Sequence, residues 1–157
     1  MIGTYRIVVG VDGSEGGRRA LRWAIRQAAA RGGIVEAVIG WRLDLYDLPP
    51  YAAVHPDEER QRCEQVLTHE IESIPVFERA GVAVAAVVAE GRAPDVLSAA
   101  ARSADLLVLG SHGHGRMRHT VLGSVSEECV RKATCPVVVI PVVQDSQVEP
   151  AEPAVPA

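Results

Sequence analysis

Short apolar runs alternate along the chain with longer stretches whose apolar residues recur at helical spacing. The run Ile7-Val8-Val9-Gly10-Val11 is β-branched, does not alternate in polarity and stops at Asp12-Gly13-Ser14, as expected for a strand buried on both faces. Ser14 is placed to cap a helix through about Arg31, in which Leu21, Ala24, Ile25 and Ala28 share one face. Gly32-Gly33 stops that helix, and a second strand follows from about Ile34 to Trp41. The segment from Arg42 to Pro56, with its Pro, Tyr and Asp residues, reads as a long loop. From Asp57 to Ala80 the pattern predicts a helix kinked or broken by Pro75 and closed by Gly81, then a third strand over Val82 to Val88. Pro94 suits the first turn of a short helix opening at Gly91. A fourth strand covers Asp105 to Gly110, a final helix starts near Gly123-Ser124, and a fifth strand, Val137 to Ile140, follows Pro136.

Uniformly apolar strands separated by amphipathic helices predict a parallel α/β sheet covered on both faces, with right-handed crossovers. One domain over residues 1–143 is expected, followed by a tail over 144–157 of Pro, Ala, Glu and Val without period, read as disordered.

Composition narrows the function classes. An apolar fraction of 48% and a charged fraction of 23% suit a globular chain. A net charge of −4, without a basic arm, argues against a nucleic-acid partner. No apolar run approaches the roughly 20 residues that cross a bilayer. The beginning, Met1-Ile2-Gly3-Thr4-Tyr5-Arg6, lacks the features of a secretory signal, so a cytoplasmic location away from membranes is expected. The three cysteines, Cys63, Cys129 and Cys135, fit reduced thiols packed in or near the core.

Two strand ends carry candidate chemistry. The first runs into Asp12-Gly13-Ser14 and the fourth into Gly110-Ser111-His112-Gly113-His114-Gly115. Glycine just past a strand lets backbone bend sharply toward a ligand, and successive amides in such a bend form an anion-binding hollow. Gly123-Ser124-Val125-Ser126-Glu127 reads as a helix start, with Ser124 and Glu127 at capping-box spacing. A helix N-terminus favours phosphate, and the Ser124 and Ser126 hydroxyls are candidate donors to it. Gly110 and Gly115 have the outer spacing of a P-loop, but Arg116-Met117 stands where Lys-Ser/Thr is required.

The segment Gly110-x2-Gly113-x9-Gly123-Ser124 resembles the nucleotide-binding signature of the universal stress protein family, G-x2-G-x9-G-(S/T). Val8 to Ser14 resembles that family's first strand with its aspartate, and Cys135-Pro136-Val137-Val138-Val139-Ile140 its last strand; the similarity runs from about Tyr5 to Val143. The resemblance implies a Rossmann-like sheet of five parallel strands in the order 3-2-1-4-5. It also implies bound ATP, with Gly110, Gly113, Gly123 and Ser124 along phosphates and ribose. Asp12 would lie at the ribose and phosphate edge, through magnesium, and Gly40 and Trp41 would face adenine. A homodimer through the last strand, Val137 to Val142, is implied as well.

Each residue also has a plainer reading. Asp12 suits a turn, and Trp41 suits the core. A carboxylate is a poor direct phosphate partner, so a metal or a ribose hydroxyl is the better match for Asp12. His112, His114 and His119 lie within eight residues but have no adjacent Cys, Asp or Glu, and His112 is better suited to hydrogen bonding near phosphates than to zinc. Arg116 and Arg118 suit either a phosphate clamp or a solvated loop. No general base is identifiable, which sets a regulatory ATP-binding module with an unidentified protein partner ahead of a slow ATPase or self-phosphorylating enzyme. A dimeric interaction protein that ignores nucleotide is the third reading. The residues do not choose among ATP, ADP and a cyclic nucleotide.

Overall fold

A computed structural model describes residues 3–43, 49, 55–114 and 121–142. The expected tail and most of the segment between Arg42 and Pro56 lie outside the described residues, as do Gly115, Arg116, Arg118 and His119.

The elements are β1 (Arg6–Gly10), α1 (Glu15–Arg31), β2 (Ile34–Trp41), α2 (Pro56–Glu72), β3 (Val84–Glu90), α3 (Ala93–Ala101), β4 (Leu106–Gly110), α4 (Ser124–Lys132) and β5 (Val137–Ile140). The strands form one parallel sheet in the order β3-β2-β1-β4-β5. In the central pair Ile7 stands opposite Leu106 and Val9 opposite Val108. Ile7, Val8 and Val9 are completely buried because both faces of β1 are covered. One core cluster gathers Ile7, Val9, Leu21, Ile25 and Leu67 on the side of α1 and α2; the other gathers Val8, Val38, Leu97, Leu107 and Cys129 on the side of α3 and α4.

Local chemistry sets the ends of α1. Ser14 accepts from the Gly17 amide at 3.2 Å. Gly32 adopts φ 63°, a left-handed conformation that costs a β-carbon-free residue little. Helix α2 stops at Glu72 rather than running to Ala80. Pro75 cannot donate the next helical hydrogen bond and disfavours helical backbone at Ile74. The chain turns there instead, with the Glu78 amide bonded to the Pro75 carbonyl at 2.9 Å. Strand β3 consequently starts at Val84, two residues later than expected. No described helix is long and apolar enough to cross a membrane.

Candidate functional site

Strand order reverses between β1 and its neighbours β2 and β4, so the loops leaving β1 and β4 diverge and open a crevice at the carboxyl edge of the sheet. A cleft of about 460 Å³ lies there. Its apolar end is built by Val38, Gly40, Ala93, Leu97 and Leu109. Its polar end is built by Asp12, His112, Gly113 and the head of α4 from Gly123 to Glu127. Asp12 and Gly123, 111 positions apart in sequence, thus face one space.

Asp12 is solvent-exposed but held. Its Oδ1 accepts from the Ser14 amide at 2.9 Å and from the Ser14 hydroxyl. Its backbone carbonyl accepts from His114 Nε2 at 2.6 Å, which places the proton on that nitrogen. Oδ2 faces Gly113, where a β-carbon would lie only 2.5 Å away. Glycine at 113 is therefore what gives the carboxylate its room.

The head of α4 differs from the capping box expected at Ser124 and Glu127. The cap is Gly123, extended at φ −70° and ψ 166°, and it makes no side-chain hydrogen bond. Its own amide donates to the Ser111 carbonyl at 2.6 Å. A β-carbon at 123 would come within 3.2 Å of that same carbonyl, a tight approach, and the cap lies one residue before the expected Ser124. Among the described residues nothing accepts from the amides of Ser124, Val125 and Ser126. Three donors at a positive helix end are thus left for an anion. The Ser126 hydroxyl, expected to reach phosphate, instead donates to the Gly110 carbonyl at 2.6 Å and is buried there. Ser124 is exposed at the cleft.

Two further expected residues sit elsewhere. Trp41 packs against the cluster on the α1 and α2 side, because strand alternation sends Val38 and Gly40 to one face and Trp41 to the other. Ser111 is buried behind the loop and does not line the cleft. Gly110 does line it, but the missing β-carbon also serves α1: it would fall 2.6 Å from the Gly16 carbonyl carbon. Gly16 and Gly17 open α1, and Gly17 lines the cleft. Neither was expected at the site, although a glycine pair in a first helical turn is a readable sign of close approach.

The walls are tied together behind the cleft. Arg92, the residue capping α3, makes two hydrogen bonds to Glu128 of α4, at 3.1 and 2.9 Å, and Lys132 bridges Glu128 and Asp95 at 2.6 and 2.9 Å. The Arg92 hydrogen bonds, then those from Lys132, bring the Glu128 carboxyl down to about 2. Among the described residues no His, Cys, Asp and Glu group could by itself hold a metal ion.

The sheet order and the cleft at its reversal define an open α/β domain with a cleft at the switch point, where such folds place ligands. Residues 4–141 match the model of the universal stress protein family, and the chain belongs to that family. It is 31% identical over 136 residues to Universal stress protein Rv2624c of Mycobacterium tuberculosis, a match covering 85% of this chain and 47% of that protein. The chain therefore spans about half the length of the curated relatives it matches. The universal stress protein from Archaeoglobus fulgidus in complex with dAMP is 26% identical, with a TM-score of 0.61 over 88% of this chain and 98% of that one. A universal stress protein in complex with cAMP shares the fold at 22% identity, with a TM-score of 0.65 over 87% of this chain and 96% of that one.

Proposed function

We propose that the cleft binds an adenine nucleotide, ATP, and that the protein is a ligand-sensing regulatory module of the stress response, acting in the cytoplasm as a homodimer through Val137 to Val142 with a further protein partner. One observation carries the nucleotide reading: the amides of Ser124, Val125 and Ser126, which have no acceptor among the described residues, belong to residues that line the same cleft as Asp12. A triphosphate suits the amide-rich end, and a flat apolar base suits the opposite wall of Val38, Gly40, Ala93 and Leu97. The dAMP complex of the Archaeoglobus relative supports this choice of base.

The donor set also fits magnesium. Asp12 Oδ2 has no hydrogen-bond partner among the described residues, and a lone carboxylate plus nucleotide phosphates is a common way to hold this ion. Magnesium would neutralise phosphate charge beside Asp12. The chain's own residues supply the rest: Ser14 fixes the carboxylate, Gly113 leaves it space, and the α4 amides receive the phosphate oxygens. Binding is the activity proposed. The Ser126 hydroxyl is engaged by the Gly110 carbonyl and so is not poised as a nucleophile.

Mass spectrometry of small molecules released from freshly purified protein tests the choice of ligand. An adenine nucleotide in stoichiometric yield is the expected result. A stoichiometric ligand without adenine would overturn it.

A further inference from the structure

We propose that Ser111 is a positioning residue that couples occupancy of the cleft to the segment leaving β5; the inference rests on the nucleotide reading above. Ser111 is 5% exposed and does not line the cleft. Each of its polar groups nevertheless reaches a different part of the molecule. Its amide donates to the Ile140 carbonyl at 2.8 Å, extending the β4–β5 pairing. Its carbonyl accepts from the Gly123 amide at 2.6 Å, at the cap of α4. Its hydroxyl accepts from the Val142 amide at 3.1 Å and lies 3.1 Å from His112 Nδ1, to which it can donate.

These bonds form a mechanical chain. A phosphate on the amides of Ser124 to Ser126 restrains the head of α4, and with it Gly123. Gly123 is held to Ser111 through the shortest of these four hydrogen bonds. Regular strand pairing ends at Ile140 opposite Gly110. Beyond it, Val142 depends on the Ser111 hydroxyl, and Pro141 on a hydrogen bond from Arg19 Nη1 at 2.6 Å. Among the described residues, the outgoing segment is thus fixed by one tie to α1, from Arg19, and one to Ser111. The second leads directly, through Gly123, to the amides that would receive phosphate. Opening of the Val142 amide therefore reports on the cleft.

The test is amide hydrogen exchange on the full chain, without nucleotide and with ATP and magnesium at saturation set by calorimetry. In the wild type, exchange at Val142 is expected to slow roughly tenfold, about the ratio carried by one net hydrogen bond. In Ser111→Ala the ATP-dependent change at Val142 is expected to vanish, and in Ser111→Thr, which keeps the hydroxyl, to return. A serine that merely satisfies buried backbone would raise Val142 exchange in Ser111→Ala equally with and without ATP. The wild-type comparison decides the matter even where a variant fails to fold. ATP binding with no change at Val142 overturns the coupling alone. Absence of ATP binding overturns both the coupling and the nucleotide reading.

Discussion

Gly16 and Gly110 meet through bare backbone: a β-carbon on Gly110 would fall 2.6 Å from the Gly16 carbonyl carbon, and one on Gly16 would fall 2.5 Å from the His112 carbonyl oxygen. The first turn of α1 and the end of β4 are thereby pressed together under the cleft. Alanine normally stabilises a helix position relative to glycine by roughly 0.5–1 kcal/mol, but forcing a methyl against rigid backbone costs about 1–3 kcal/mol. The clash wins. Gly16→Ala is expected to lower the urea midpoint and weaken ATP binding together, whereas Gly3→Ala, with nothing within 4 Å of the added carbon, leaves both unchanged.

Gly113→Ala separates stability from binding. The obstacle there is the end of the Asp12 side chain, 2.5 Å from the added carbon. A carboxylate can swing away, so the loss in stability is expected to stay below about 1 kcal/mol. The displaced carboxylate no longer meets the nucleotide edge, and ATP affinity is expected to fall at least about tenfold, or 1.4 kcal/mol. Calorimetric titration beside thermal melting checks both halves.

The ion cluster joining α3 to α4 gives an acid-side signature. The Arg92 and Lys132 hydrogen bonds hold the folded Glu128 carboxyl at about 2, against an ordinary 4.5. A depressed carboxyl stabilises the fold above its unfolded value and loses that contribution as pH falls through the folded one. The melting temperature of the wild type is expected to drop between pH 4.5 and 2 more steeply than that of Glu128→Gln. Asp95 and Glu59, also lowered, leave a residual slope in the variant.

An alkaline signature comes from Cys129, whose thiol burial pushes up from 9.0 to about 11. Between those values the unfolded chain has lost its proton and the folded chain has kept it, so stability decreases as pH rises, by up to roughly 2–3 kcal/mol for a shift of this size. Urea unfolding from pH 8 to 11 should show this decline. Cys129→Ser, less stable throughout, should show a shallower one.

Much of the fold is written locally. Ser14 and Gly32 bound α1 by interactions within a few residues, and Ile7 to Val9 of β1 and Leu106 to Leu109 of β4 are apolar because both faces are covered. Asp12 and Gly123 were legible for the same reason, one at a strand end and one at a helix head, while the resemblance to the universal stress protein family implied that they meet in one site. The end of α2 was harder to place, since an amphipathic pattern continues past Glu72 and the turn at Pro75 competes with it. The cap of α4 falls one residue before Ser124, at Gly123, whose amide bonds the Ser111 carbonyl, a partner twelve positions away that local spacing does not reveal. Parity along β2 would have separated Gly40 from Trp41, whereas the approach of Gly16 to Gly110 and the engagement of Ser126 by Gly110 exist only once α1, β4 and α4 have packed.

Calorimetric titration of the purified chain with ATP and magnesium is the most direct measurement. The α4 amides without an acceptor among the described residues and the carboxylate of Asp12 predict saturable binding at one site per chain, weakened in both Gly113→Ala and Asp12→Ala. No heat of binding at millimolar ATP, or equal affinity in the wild type and both variants, would contradict the account.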